Sequence, residues 1–531
     1  MDKDTHGQNG NRRCITLIEF LLVLIVLALL AGMLLPALSQ SRGRARQMNV
    51  EPVVYHNTEE YDYYEDTPFR ETRANPLSTF SIDVDTASYS NLRRFVTSGR
   101  LPPKDAIRIE EMVNYFDYAY PPPGDAHPFS LSIEQSRCPW NEAHPLVRIG
   151  LKGKALEERE LGPGNLVFLL DVSGSMSAGN KLPLVRKAMK MLVKQLEPTD
   201  RVAIVTYAGS AGLALESTPA SEAKKILRAI GRLKAGGSTA GSSGIKLAYD
   251  VVAENFIEGG NNRVILATDG DFNVGVSSSS ELVRLIIEKR QASIYLTICG
   301  FGMDNYKDGR MEQISNAGNG NYFYIDSAAE ARKVFVTDLR SNMYAIANDV
   351  KIQVEFNPLR VKEYRLIGYE NRILAAKEFN DDLVDAGEMG PGHTVTALYE
   401  LVPPPGPEHA TAPSELLYQE TRPSAQGKAS GEIMTVKVRY KLPGRNDSHL
   451  FTRGIAEIDT PAAPPSNDFR FAGAVAALGM LLRESPHRGD LSIDEVIEIA
   501  ESTVGSDAPS YRREFVELAR QCAPLIRTAA N

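Results

Sequence analysis

The fold is decided by a short stretch of the chain, Leu166–Ser175, which reads LVFLLDVSGS. Five apolar residues run without interruption into one carboxylate, Asp171, and then two hydroxyls, Ser173 and Ser175. A continuous apolar run of this length predicts a strand that is buried on both faces. Because alternate residues of a loop can direct their oxygens toward one point, the residues after the strand are candidate ligands for a cation.

Three further apolar runs predict strands of the same kind, at Val202–Val205, Val264–Ala267 and Ile294–Ile298. Stretches with helical spacing of their apolar residues separate them, as in the segment that follows Leu184. Buried strands that alternate with amphipathic helices indicate an α/β fold with a doubly wound, mainly parallel, Rossmann-like sheet. The loops that follow parallel strands meet at one edge of such a sheet, where ligand sites form.

Two more of these loops carry groups of matching chemistry. Thr239 lies in the glycine-rich stretch Gly236–Gly241, and Asp269 directly follows the strand that ends near Thr268. Carboxylates and hydroxyls are hard oxygen ligands, suited to Mg²⁺, with Ca²⁺ or Mn²⁺ as alternatives. The DVSGS stretch taken alone has a simpler interpretation as a helix N-cap. The predicted metal ligands are Asp171, Ser173, Ser175, Thr239 and Asp269.

These five residues resemble the metal-ion-dependent adhesion site of von Willebrand factor type A (VWA) domains, and the resemblance extends over residues 165–340. The flanking stretches Asn75–Tyr89, Arg108–Phe116 and Asp349–Pro358 resemble those of a bacterial VWA subgroup whose flanks have no known function. The resemblance implies that Asp171, Ser173 and Ser175 bind Mg²⁺ directly or through water and that Thr239 and Asp269 complete the shell. It also implies that an acidic side chain of a protein partner fills an open position on the ion.

Both flanks of the α/β segment have the period-two pattern of half-buried strands, and neither offers enough strands for a sheet of its own. We therefore predict that the α/β domain is inserted into a β-sandwich and that a C-terminal helical segment follows. The predicted segments are a flanking domain with sandwich strands at 76–160, the VWA domain at 161–345, the rest of the sandwich at 346–460 with a Pro/Gly-rich loop at 403–430, and the helical segment at 461–531.

The N-terminal residues 1–47 are predicted to be a leader and a transmembrane helix, followed by an acidic linker at 48–75. The apolar run Ile15–Leu35 is long enough to span a bilayer. With Thr16, Leu17 and Glu19 near its start, it resembles the anchor of bacterial prepilins and pseudopilins, although Cys14 stands where that family has glycine. The resemblance implies a single-pass membrane protein whose bulk lies outside the cytoplasm, in the periplasm or at the cell surface.

Composition excludes several functional classes. The chain has 531 residues, 43% of them hydrophobic, which is typical of globular domains, and a net charge of −8. A body this acidic is a poor general binder of the phosphate backbone, so we expect no nucleic-acid partner. The four cysteines are far apart, which argues against a disulfide framework or a zinc ribbon.

We expect a binding or scaffold protein and not an enzyme, because the sequence shows no nucleophile–base pair, HExxH motif or Walker loop. The alternatives are a phosphatase-like hydrolase and a metal-dependent regulator of an envelope enzyme complex. The hydrolase hypothesis rests on Asp83 and Asp85, which follow Phe80 in a pattern similar to the nucleophile motif of haloacid-dehalogenase phosphatases. A half-exposed strand with two turn residues explains the same pattern.

Overall fold

The computed structural model describes residues 59–529, apart from 84, 125, 158–159, 238–240, 271–278, 304–306, 406–423 and 457–463. The predicted leader and transmembrane helix, the first part of the predicted linker, Thr239 and most of the Pro/Gly-rich loop lie outside the described residues. Within the described part of the chain, no helix is both long and apolar enough to cross a membrane.

The strands of the described residues are numbered in chain order. They are β1 (Arg70–Glu71), β2 (Leu77–Ser81), β3 (Phe129–Cys138), β4 (Asn141–Gly153), β5 (Gly164–Asp171), β6 (Arg201–Tyr207), β7 (Ala211–Pro219), β8 (Asn261–Thr268), β9 (Ile294–Phe301), β10 (Tyr322–Ile325), β11 (Ala347–Phe356), β12 (Glu363–Ile367), β13 (Ile373–Leu374), β14 (Gly387–Met389), β15 (Thr394–Val402), β16 (Glu432–Lys441) and β17 (Ser448–Ala456).

The α-helices of the same residues are numbered in the same way. They are α1 (Ala87–Thr97), α2 (Ile109–Asn114), α3 (Leu182–Val193), α4 (Ala223–Arg232), α5 (Gly241–Glu254), α6 (Ser279–Gln291), α7 (Asp308–Ala317), α8 (Ala328–Arg332), α9 (Leu339–Met343), α10 (Ala425–Ala429), α11 (Asn467–Arg483), α12 (Ile493–Ser502) and α13 (Tyr511–Ala529).

A six-stranded sheet in the order β10-β9-β8-β5-β6-β7 forms the centre of the α/β domain. All neighbouring strands are parallel except β6 and β7, which are antiparallel. Every residue of β5 and β8 is buried, because apolar helices cover both faces of the sheet. The doubly wound α/β fold predicted from the apolar runs is therefore confirmed, and β7 and β10 are strands that the sequence pattern did not indicate.

The strands on both sides of the α/β domain form one β-sandwich. In its first sheet, ordered β1-β12-β15-β4-β3, β4 from before the inserted domain pairs with β15 from after it. In the second, ordered β13-β2-β11-β16-β17, β2 pairs with β11 in the same way, and β14 adds to β11. The two sheets share one apolar core, so the predicted insertion into a sandwich is confirmed. The finer segment bounds stay predictions.

The C-terminal helices pack against the helices α1 and α2, which lie between β2 and β3 in the chain. Helix α11 is buried along most of its length, and its apolar side chains share a core with those of α1, α2, α12 and α13. Ser466 caps α11 by accepting a hydrogen bond from Phe469 N, and Ser492 begins α12 with a capping box. The predicted C-terminal helical segment is present and joins the two ends of the described chain into one core.

Residues 59–75 differ from the acidic linker predicted there, because their carboxylates pair with arginines of the folded body. Arg94 Nη1 lies 2.6 Å from Glu59 Oε1, and Arg483 Nη2 lies 2.6 Å from Asp66 Oδ1. Strand β1 then pairs with β12 at the edge of the first sandwich sheet. The acidic composition that suggested a solvated linker supplies the counter-charges for this packing.

A buried ion network joins the flanking helices to the α/β domain. The guanidinium of Arg108, which is 2% exposed, contacts the carboxylates of Glu111 and Asp308 and lies 3.5 Å from Glu312 Oε2. Arg372 Nη2 lies 2.6 Å from the other oxygen of Glu312. Each buried carboxylate of this network thus lies next to a guanidinium group. The opposite charges offset the cost of burying each other, so removing either partner leaves the other uncompensated.

Candidate functional site

Two buried carboxylates lie at the carboxyl ends of neighbouring parallel strands. Asp171 is the last residue of β5, and Asp269 directly follows β8. Strand register places Leu170 opposite Ala267, so the two aspartates lie at the same edge of the sheet. Both side chains are completely buried, 0% exposed, which is rare for carboxylates and costly without a counter-charge.

The loop after β5 is held in a tight turn by its own hydrogen bonds. Ser173 N donates to Asp171 Oδ1 over 2.8 Å, and the hydroxyl oxygens of Ser173 and Ser175 are 3.0 Å apart. Ser173 is buried, whereas Ser175 is exposed. The structure therefore brings the first three predicted ligands together, with one hydroxyl facing solvent.

A second loop lies against the first. Gly174 N donates to Gly237 O over 3.0 Å, and Gly236 N donates to Val172 O over 2.8 Å. Gly237 adopts a φ of +90°, a conformation that favours glycine. Thr239 itself lies outside the described residues, so its place as a predicted ligand stays a prediction.

A lysine that the sequence analysis did not single out completes the described site. Lys181 Nζ lies 2.9 Å from Asp269 Oδ2, and the lysine side chain is only 11% exposed. Its stem crosses Gly302, where an added Cβ would lie 2.4 Å from Lys181 Cε. Lys181 comes ten residues after Asp171, in a polar stretch before α3, and no local pattern marks it as part of the site.

The site has the charge and the free acceptor atoms of a cation site. Within the described part of the chain, Asp171 Oδ2 and Asp269 Oδ1 are buried oxygens without a hydrogen-bond partner. Burial, together with the nearby Asp269 carboxylate, raises the pKa of the Asp171 carboxyl to about 6, although its hydrogen bonds from Ser173 lower it. Two carboxylates and two hydroxyls form a hard oxygen donor set, and this set fits Mg²⁺, Ca²⁺ or Mn²⁺.

The residues behind the hydrolase hypothesis hold the fold together. Arg372 Nη1 lies 2.9 Å from Asp83 Oδ2, and Arg372 Nη2 lies 3.2 Å from Asp85 Oδ2. Asp85 Oδ1 also accepts a hydrogen bond from Tyr322 N over 2.8 Å. The two aspartates of the Asp-x-Asp pattern thus connect the end of β2 to β10 and to the loop after β12, and this structural role accounts for the pattern.

Models of three known families match the chain. The model described as von Willebrand factor matches residues 55–148, and the von Willebrand factor type A domain model matches residues 165–337. The model described as the C-terminal part of the uncharacterized protein YfbK matches residues 341–525. The second match includes the whole described site.

The chain is also similar to individual proteins and to a solved structure. The uncharacterized protein YfbK of Escherichia coli K12 is 40% identical over 486 residues, which are 90% of this chain and 83% of that protein. The uncharacterized protein sll0103 of Synechocystis is 30% identical over 189 residues, which are 36% of this chain and 44% of that protein. A solved structure, von Willebrand factor type A from Catenulispora acidiphila, is 16% identical, with a TM-score of 0.41, and the match covers 72% of this chain and 89% of that one.

Proposed function

Because this chain belongs to the family of VWA-domain proteins that includes YfbK of Escherichia coli, we propose that it is a binding or scaffold protein that engages a protein partner through a divalent cation. The observation that carries the proposal is the pair of completely buried carboxylates, Asp171 and Asp269, at one edge of the central sheet. Each of them leaves one buried oxygen without a hydrogen-bond partner in the described part of the chain.

In this proposal Asp171, Ser173, Ser175, Thr239 and Asp269 hold the ion, with Mg²⁺ as the first choice. When bound, the ion supplies positive charge and a coordination position that an acidic side chain of the partner can fill. Asp171 and Asp269 provide the compensating negative charge, and the hydrogen bond from Ser173 N fixes the orientation of the Asp171 carboxylate. The exposed Ser175 lies on the solvent side of the loop, where a partner can approach.

The proposal includes the setting suggested by the sequence. The apolar run Ile15–Leu35 would anchor the chain in a membrane, with the folded body outside the cytoplasm. The support for this anchor is its length and its prepilin-like residues Thr16, Leu17 and Glu19. A VWA domain held at a membrane surface would suit a role as an adhesion or assembly scaffold.

Lys181 should compete with the cation for Asp269. Replacing it with methionine removes the positive charge and keeps an unbranched side chain against Gly302. We expect the affinity for Mg²⁺ to rise at least about tenfold, because the ion no longer displaces or repels an ammonium group. We also expect the metal-free protein to melt at a lower temperature, since Asp269 loses its counter-charge.

Calorimetric titration with Mg²⁺ and thermal melts in EDTA would measure both effects. The matched control is Lys187→Met, because Lys187 is an exposed residue of the neighbouring helix α3. If Lys181→Met and Lys187→Met behave alike in both measurements, the lysine does not compete with the ion.

Metal-dependent capture tests the proposed function. The chain, immobilised and exposed to envelope proteins of its source cells, should retain a partner in Mg²⁺ and release it in EDTA. Asp171→Ala should lose this partner, whereas Asp250→Ala should retain it, because Asp250 is exposed on α5 and takes no part in the site. A partner that stays bound in EDTA, or that binds Asp171→Ala equally well, would contradict a cation-mediated contact.

A further inference from the structure

A pocket of about 200 Å³ lies between the α/β domain and the β-sandwich. Its wall on the α/β side includes Asn261 and Arg263 of β8 and Tyr295 of β9. Its wall on the sandwich side includes Asn348 of β11, Glu388 of β14 and the nearby His393. We call it the Arg263 pocket.

The pocket contains a buried guanidinium that forms no ion pair within the part of the chain that the structure describes. Arg263 is 6% exposed and forms no ion pair with any described residue. Its guanidinium donates to three neutral oxygens, at 2.7 Å to Thr297 Oγ1, 3.1 Å to Met343 O and 3.3 Å to Asn261 Oδ1. Since a guanidinium has five N–H groups, two remain for another acceptor. A buried charge that is solvated only by neutral dipoles is costly.

Burial disfavours the charged forms of two other titratable groups of the pocket, Glu388 and His393. Burial, together with the nearby carboxylates of Asp83, Asp385 and Asp349, raises the pKa of Glu388 well above its ordinary value, which disfavours the charged form of this side chain. Burial lowers the pKa of His393, which disfavours its positively charged form. Glu388 Oε1 and Asn348 Oδ1 are buried atoms without a hydrogen-bond partner among the described residues.

The pocket is separate from the proposed cation site. Arg263 is near the start of β8, and Asp269 follows the end of the same strand. At about 3.3 Å per residue their backbone positions lie about 20 Å apart, at opposite ends of this strand. A ligand at one of these positions therefore uses no side chain of the other.

The geometry points to a binding site for a small oxyanion, a phosphate or carboxylate group, in the Arg263 pocket. The guanidinium supplies the charge and two N–H donors in the planar arrangement that matches two oxygens of such a group. The polar side chains around it supply further hydrogen bonds, and the pocket has room for a small metabolite or for the end of a larger ligand. Because the walls come from two domains, the bound anion would also strengthen the contact between them.

Calorimetric titration of the whole chain with inorganic phosphate and, separately, with malonate tests this inference and tells the two classes of oxyanion apart. At least one of them should bind the unaltered chain. Asn348→Asp, which keeps the size of the side chain and places a negative charge in the pocket, should weaken that binding at least about tenfold. Arg263→Gln should abolish it. Glu388→Gln should not weaken it, because the amide keeps the size of the side chain and adds no negative charge to the pocket.

The outcome does not depend on whether Arg263→Gln folds, since Asn348→Asp retains every hydrogen bond of the guanidinium. Failure of both anions to bind the unaltered chain would overturn the inference, as would equal binding by the unaltered chain and Asn348→Asp. Asp171→Ala should bind the anion with the affinity of the unaltered chain. The anion titration therefore tests this inference even if the proposed cation site does not bind a metal ion.

Discussion

Replacing Asp171 with alanine is expected to abolish measurable Mg²⁺ binding. Asp171 is the only carboxylate of the first loop, and Asp269 alone would have to compensate the charge of the ion while also paired with Lys181. Ser173→Ala should only weaken binding, because water can replace a neutral hydroxyl as a ligand. Calorimetric titration of the two variants and the unaltered chain measures the difference.

Both variants should keep the fold, because β5 is buried by its apolar side chains and not by the ion. In EDTA, Asp171→Ala should be at least as stable as the unaltered chain. Asp171 is a buried carboxylate next to Asp269, and its removal relieves both desolvation and like-charge repulsion. Circular dichroism and thermal melts would check this. Mg²⁺ binding by Asp171→Ala with unaltered affinity would show that the site has been wrongly identified.

Replacing Arg108 with methionine is expected to lower the free energy of unfolding by about 3–5 kcal/mol. The guanidinium is 2% exposed and contacts Glu111 and Asp308, with Glu312 within 3.5 Å. Methionine fills a similar volume but leaves these buried carboxylates with less positive charge. Urea unfolding at pH 8 gives the difference. Arg520→Met is the matched control, since Arg520 pairs with Glu501 and Glu517 at the surface, and it should change stability by less than about 0.5 kcal/mol.

The loss of stability caused by Arg108→Met should also depend on pH. Burial raises the pKa of Glu111 to about 7, although Arg108 lowers it. A carboxyl whose pKa is higher in the folded than in the unfolded state binds more protons when folded, so its contribution to stability falls as the pH rises from about 4.5 to 7. Without Arg108 the folded-state pKa rises further, and this fall becomes deeper and extends to higher pH. The difference between Arg108→Met and the unaltered chain should therefore be smaller at pH 5 than at pH 8, and a constant difference would contradict the buried network.

Much of the fold was predictable because buried segments have a recognisable pattern of apolar residues in the sequence. Strands buried on both faces are continuous apolar runs, and this pattern located β5, β6, β8 and β9. The short β10 and the half-exposed β7 have weaker patterns, which is why they were missed. Residues 59–75 were predicted to be a linker since their carboxylates look solvated in the sequence. Their partners, such as Arg94 and Arg483, come from elsewhere in the chain.

The candidate site was likewise predictable only in part. Asp171, Ser173 and Ser175 are close in sequence, and Asp269 follows a predicted strand, so the rule that parallel strands end at one sheet edge was sufficient to bring them together. Lys181 could not be found in this way, because its contact with Asp269 depends on how the chain turns before α3. The same holds for Arg263, because its surroundings in the pocket, where it forms no ion pair with a described residue, depend on the folded structure.

The central claim is that this edge of the sheet binds a divalent cation, and a crystal soaked in Mn²⁺ tests it most directly. Anomalous scattering would locate the ion without reference to affinity or to any partner. We predict one peak between the carboxylates of Asp171 and Asp269, beside the Ser173 and Ser175 hydroxyls, with Lys181 Nζ moved away from its position 2.9 Å from Asp269 Oδ2. A well-ordered crystal with no peak there, and with the Lys181–Asp269 ion pair intact at saturating Mn²⁺, would contradict it.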